Sequence, residues 1–194
     1  MNMRVMAGRV VVKQHATKLK GAIQLPPNRA KLYEIGEVIA VGAMEGYGPD
    51  GKHSTKETYI AGDLVLFQLP SSLVESLTFD IKGVLNCFLH VEDIIARLTR
   101  DVIELESFKI VGRFVLIEPS VRRESLIVLP DTAEDAKREN LHFSVRQVGA
   151  DVGYPFYTGQ EVFPDKGRVN PMTIENTELA FVDQQFIYGA LATD

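Results

Sequence analysis

Gly36-Glu37-Val38-Ile39-Ala40-Val41-Gly42 and, further on, Gly62-Asp63-Leu64-Val65-Leu66-Phe67 decide how this 194-residue chain is read. Each is a short run of β-branched, aliphatic and aromatic residues bordered by glycine or aspartate, the pattern of a strand between turns. Arg9-Val10-Val11-Val12-Lys13 has the same character. Residues 91–98 fit a strand and a short helix equally well. Residues 131–140 carry good helix formers and suitably placed end charges but no apolar face, so a helix and a solvated loop both fit. Helical signals are otherwise few. The fold class expected is mainly β, as two tandem small irregular β-barrels that leave few exposed edges.

The doubling comes from internal order. Gly8-Arg9-Val10-Val11-Val12, Ile23-Gln24-Leu25-Pro26, Val38-Ile39-Ala40-Val41-Gly42, Gly62-Asp63-Leu64-Val65 and Ile94-Ile95 form one series. Gly112-Arg113-Phe114-Val115-Leu116, Ile127-Val128-Leu129-Pro130, Val145-Arg146-Gln147-Val148-Gly149, Gly159-Gln160-Glu161-Val162 and Phe186-Ile187 repeat it. Five elements in one order imply two related domains, residues 1–100 and 107–194. The join lacks glycine and proline and contains Val102-Ile103-Glu104-Leu105. The two domains are therefore expected to pack together rather than hang on a loose tether.

Charge and composition remove several function classes. With 21 Lys+Arg against 26 Asp+Glu the net charge is −5, the wrong sign for a dedicated nucleic-acid binder. No apolar run approaches the roughly 18–20 residues that span a bilayer. The opening residues lack the apolar core and cleavage site of a secretory signal, so a cytoplasmic protein is expected. Cys87 is the only cysteine, which excludes an internal disulfide and a multi-thiolate zinc site. It is read as a small buried hydrophobe, because His90 three residues on would face the other side of a strand. His15, His53, His90 and His142 show no ligand spacing, and no Walker-type glycine-rich segment is present.

Each series places an Ile-x-Leu-Pro motif inside a polar stretch. Apolar residues on a polar loop stabilise a monomer poorly but suit docking into a partner's groove. The residues alone leave a second possibility open, that Ile23, Leu25, Ile127 and Leu129 begin core strands.

The chain resembles the GroES-type co-chaperonins, the lids of group I chaperonins. Met1, Asn2, Arg4, Arg9, Val10, Val12 and Lys13 match the opening typical of bacterial members. Gly21-Ala22-Ile23-Gln24-Leu25-Pro26 is similar to the family's Gly-Gly-Ile-Val-Leu-Pro mobile loop, and residues 36–42 and 62–67 resemble its next two motifs. Leu126-Ile127-Val128-Leu129-Pro130 is a closer match to the loop. The resemblance implies that both loops bind a GroEL-type group I chaperonin. The chain then belongs to a homo-oligomeric ring that seals a chamber in which client proteins fold. It implies no enzyme activity and no cofactor, because the chaperonin binds and hydrolyses the ATP. Tyr47, Gly48, Pro49, Asp50 and Gly51 lie where the family carries a roof hairpin, and a plain surface turn fits them equally. The second domain has only residues 150–158 there, so its roof element is expected to be shortened. Tyr154, Phe156 and Tyr157 are read as core packing, with an interface as the alternative. Family assembly pairs the N-terminal strand of one subunit with the C-terminal strand of the next; the resemblance implies that residues 1–5 and 186–191 take those parts between chains, and residues 94–98 and 108–111 are placed to do the same within one chain.

Two departures favour an alternative, a ring-forming scaffold that keeps the fold without the chaperonin. Gln24 replaces the usual valine, removing apolar area worth about 1 kcal/mol. Glu124-Ser125-Leu126 stands where the family prefers glycines, which stiffens the second loop. An enzymatic reading by analogy with zinc alcohol dehydrogenases, which share a related barrel, fails for want of cysteine ligands and a Gly-x-Gly-x-x-Gly segment.

Overall fold

The computed structural model describes residues 4–14, 34–47, 51–68, 77–99, 105–120, 142–174 and 176–191. Its elements are strands and three short 3-10 turns. The first set comprises β1 (Arg9–Gln14), β2 (Glu34–Val41), β3 (Glu45–Tyr47), β4 (His53–Ser54), β5 (Leu64–Phe67), β6 (Thr78–Ile81), β7 (Val84–His90) and β8 (Ile94–Leu98). The second comprises β9 (Phe108–Ile110), β10 (Phe114–Ser120), β11 (His142–Val148), β12 (Glu161–Pro164), β13 (Asn170–Ile174), β14 (Thr177–Asp183) and β15 (Ile187–Ala190). All the pairings are antiparallel, in a seven-stranded sheet ordered β6-β7-β1-β2-β5-β8-β9, a six-stranded sheet ordered β13-β14-β10-β11-β12-β15, and the β3-β4 hairpin.

The valine-rich runs are strands because both of their faces are buried. Val10, Val12, Val38, Val65, Phe67, Cys87, Leu89 and Ile94 form the core inside the first sheet. Val115, Ile117, Val145, Val162, Ala180 and Val182 form its counterpart inside the second. A third core lies between the sheets. There Ile35, Leu66, Ile95 and Leu98 meet Phe108, Ile110, Met172, Ile174 and Phe181. Residues 91–98 combine both readings of the sequence, a 3-10 turn over Val91–Asp93 followed by strand β8.

The chain after residue 107 first adds β9 to the edge of β8, with Ala96 opposite Ile110, Arg97 opposite Lys109 and Leu98 opposite Phe108. The pairing expected between residues 94–98 and 108–111 therefore occurs within one chain, and the packing expected across the join is present in the third core.

Hydrogen bonds recur between the sheets and correct the alignment taken from sequence. Arg9 N–H donates to the Met6 carbonyl as Phe114 N–H does to that of Val111, and Gly42 N–H donates to Arg9 as Gly149 N–H does to Phe114. A register shift follows Val11 in β1 and Leu116 in β10. Val10 thus corresponds to Val115, one residue beyond the match that set Gly8 against Gly112. At the other end the turns Val91–Asp93 and Gln184–Phe186 each lead into a strand, so Ile94 corresponds to Ile187, not Phe186. The expected match of residues 62–65 to 159–162 agrees with the bonding. Val38 N–H donates to Asp63 and Val145 N–H to Gln160, and Gly62 and Gly159 both take positive φ.

Candidate functional site

The two segments expected to bind a partner leave the sheets at matched corners. Residues 15–33 connect β1 to β2, and residues 121–141 connect β10 to β11. Gly21, Ala22, Ile23, Gln24, Leu25, Pro26, Leu126, Ile127, Val128, Leu129 and Pro130 all lie outside the described residues, as does the 131–140 stretch. What the structure gives is the base of each segment. At the first, Gln14 Nε2 donates to Glu34 Oε2 at 2.5 Å, tying the last residue of β1 to the first of β2. Burial raises the pKa of Glu34, so its carboxyl holds a proton more readily than one in water. At the second base the last ladder pair sets Ser120 opposite His142. Arg146 Nη1 contacts Glu118 Oε2 at 2.6 Å across the same two strands, and His142 Nδ1 contacts Glu161 Oε1 on β12. Charged and polar groups cross-brace both bases. The Gln14–Glu34 contact had no signal in the sequence, because the two residues are polar, ordinary and separated by the whole segment.

The hairpin expected as a roof element is present as β3 and β4, with Glu45 opposite Ser54 and Tyr47 opposite His53. Gly46 and Gly51 take φ of 64° and 65°, which glycine adopts without steric cost. Gly48, Pro49 and Asp50 lie outside the described residues. Tyr47 is an anchor and not a tip residue, being 4% exposed. Its ring rests on Gly8, where a Cβ would fall 2.5 Å from the ring. The imidazoles of His53 and His90 flank it at 5.8 and 5.3 Å. Burial first, then the charges of Glu92 and Asp151, raise the Tyr47 pKa and keep the phenol neutral.

This hairpin reaches the second sheet. Asp151 accepts from the Thr55 hydroxyl and, at 2.9 Å, from the Lys56 backbone N–H, while Lys56 Nζ donates to the Ala150 carbonyl at 3.3 Å. Glu92 lies 3.6 Å from His53, 3.9 Å from His90 and 4.0 Å from Arg113, and Arg113 Nε in turn meets Asp183 at 2.6 Å. Residues 149–160, the counterpart of the hairpin region, contain no strand. Phe156 packs against the second core, whereas Tyr154 and Tyr157 are exposed, so the core reading holds for Phe156 alone.

Among the described residues no three His, Cys, Asp and Glu side chains stand where they could hold a metal ion. Cys87 is fully buried, and burial pushes its thiol up to about 12, so the nucleophilic thiolate is absent at neutral pH. No helix among the described residues is long and apolar enough to cross a membrane.

The family model described as Chaperonin 10 Kd subunit matches residues 2–98, half of the chain, and the chain belongs to that family. No individual curated protein matches it. The family is one of co-chaperonins, proteins that work with a chaperonin and are not themselves enzymes.

Proposed function

We propose that the chain caps the ring of an ATP-loaded, GroEL-type group I chaperonin in the cytoplasm and closes the chamber in which client proteins fold. Two tandem domains, residues 1–100 and 107–194, contribute one chaperonin-binding segment each, residues 21–26 and 126–130. Ile23, Leu25, Ile127, Val128 and Leu129 supply the apolar contact, and the β3–β4 hairpin with its turn at residues 48–51 faces the chamber. Ordering such a segment costs about 2–5 kcal/mol, so each contact is weak and a ring of them binds by multivalency. The chain needs no cofactor, since ATP is handled by the chaperonin, and takes no nucleic acid or membrane as partner.

The observation that carries this reading is the matched origin of the two segments: in a member of a co-chaperonin family, each Ile-x-Leu-Pro motif lies between the strands that correspond, β1–β2 and β10–β11. The test is co-elution of the purified chain with its cognate chaperonin in the presence of ATP or ADP. Binding that needs nucleotide, and that Ile23→Asp or Ile127→Asp abolishes, is the expected result and names the working segment. Gln24 and the glycine-poor 124–126 stretch favour a second reading, a scaffold that has lost chaperonin binding. Absence of co-elution under every nucleotide condition would favour that scaffold over the cap.

A further inference from the structure

Four buried side-chain atoms among the described residues lack a hydrogen bond: Glu57 Oε1, Arg97 Nε, Arg113 Nε and Glu161 Oε1. Three of them face an opposite charge all the same. Arg97 Nε lies 3.6 Å from Asp63 and Arg113 Nε 2.6 Å from Asp183, while Glu161 Oε1 contacts His142. Glu57 is the exception, with no ion pair among the described residues to stand in for the missing bond. It is 6% exposed, so water does little to offset the cost of enclosing its carboxyl group. The cations nearby are engaged elsewhere. Arg97 donates to the Thr58 carbonyl and lies 5.1 Å over the Tyr59 ring, and Lys56 Nζ donates to the Ala150 carbonyl at 3.3 Å.

Glu57 borders a hollow of about 690 Å³ walled by the β3–β4 hairpin and residues 55–58, where Glu45, Lys52, Ser54, Lys56 and Thr58 also stand. Small-molecule sites run roughly 300–1,000 Å³ and are largely pre-formed. This wall is fixed in advance, because Asp151 of the second sheet holds the Thr55 hydroxyl and the Lys56 N–H, and Glu57 N–H donates to Thr55 Oγ1 at 3.1 Å. The side chains select the ligand. A divalent metal takes several carboxylate or imidazole ligands, and no three such groups among the described residues stand where they could hold one. An organic ammonium needs only acceptors for its three N–H groups, and Glu57, Glu45 and the hydroxyl of Ser54 or Thr58 supply them. Lys52 and Lys56 on the same wall repel a second positive charge and attract a negative one, so a polyamine is a poor fit and a molecule bearing both signs a good one.

We propose that the hollow beside β3–β4 binds a small zwitterion, a free amino acid or a short peptide with both ends free. Its primary ammonium pairs with Glu57, and its carboxylate lies beside Lys52 and Lys56. The two carboxyl oxygens of Glu57 exchange by half a turn about a torsion that is broad and two-fold, so the ammonium need not enter the closed side of the group. The pair is a charge-assisted hydrogen bond in a largely desolvated place, where such bonds are strongest. The site stands whether or not the chain caps a chaperonin.

Trialanine titrated into the full chain and followed by amide NMR is expected to bind saturably and to shift the resonances of residues 45–46 and 54–58. N-acetyl-trialanine has lost the ammonium and is expected to bind about tenfold more weakly or worse, the loss that goes with a hydrogen bond to a charged group. Trialanine amide, which has lost the carboxylate, should also bind more weakly than trialanine. Glu57→Gln keeps the shape of the side chain and removes its charge. Trialanine should bind this variant no better than the acetylated peptide binds wild type, with the resonances of β1 and β2 unmoved. Free alanine separates the two sources: affinity equal to that of trialanine assigns an amino acid, and weaker binding assigns the ends of a peptide. The proposal is overturned by the absence of saturable shifts at those residues, by an acetylated or amidated peptide that binds as tightly as the free one, or by full affinity in Glu57→Gln. The three peptides are compared on wild type, so the proposal can fail even where the variant does not fold.

Discussion

Asp93 closes the 3-10 turn Val91–Asp93, where its carboxylate accepts from the His90 backbone N–H at 3.3 Å. Burial raises its pKa, with the His90 backbone bond and the charges of His90 and Arg9 pulling the other way, and burial raises that of Glu34 too. A carboxyl that binds its proton more tightly folded than unfolded contributes stability that is complete below the unfolded value, about 3.9 for Asp. That contribution is lost as pH rises through the raised folded value. Asp93→Asn removes the titration and keeps an oxygen to accept from His90. Its stability relative to wild type, read from urea midpoints, is therefore expected to be more favourable at pH 7 than at pH 4, and the reverse order would refute the burial argument. Cys87 needed no structure to be understood, since a lone cysteine within an apolar run with no base beside it reads as a small hydrophobe. Asp93 was not legible in this way, because its burial depends on how the turn seats against β1.

At the scale of elements the strands were legible and their registration was not. Val10–Val12, Val38–Val41 and Leu64–Phe67 announce themselves by side-chain type and by the turn residues around them. The Gly-Arg pair shared by residues 8–9 and 112–113 invited a match one residue out of step. Gly8 and Gly112 both take positive φ, 70° and 59°, but at successive positions of their turns. An identical letter therefore serves two different places. Asp151 was invisible for another reason: it acts across a gap of almost half the chain, holding the β3–β4 hairpin from the second sheet. Asp151→Ala removes the acceptor for the Thr55 hydroxyl and the Lys56 N–H. The contact is only partly buried, so the global cost is expected to be about 1 kcal/mol. The local effect is larger. Amide exchange over residues 51–58 should accelerate while that of β1 and β2 stays protected, and unchanged exchange there would show that the hairpin holds itself.

For the molecule as a whole the decisive feature is the core between the sheets. Leu64-Val65-Leu66-Phe67 shows why the sequence could not announce it. Val65 and Phe67 face the first core and Leu66 the shared one, so the run is apolar throughout, as in any strand buried on both faces. Sequence can say that both faces are covered, but the covering sheet comes from far along the chain, with Leu116 50 positions beyond Leu66 and Met172, Ile174, Leu179 and Phe181 more than a hundred. Both sheets depend on this core, which implies that they unfold together, in one transition reported alike by far-ultraviolet circular dichroism and by tyrosine fluorescence. Phe181→Ala tests the coupling. Phe181 is 4% exposed and lies 6.2 Å from Phe108 between ring centroids, and truncating a buried phenylalanine costs about 3–5 kcal/mol. At roughly 2–4 °C per kcal/mol for a chain of this size the midpoint should fall by about 6–20 °C. The loss should extend to the first sheet, measured by amide exchange of β5 and β8, although the substitution lies in the second. Destabilisation confined to β10–β15 would mean that the sheets are independent domains in contact, with the shared core contributing little to either.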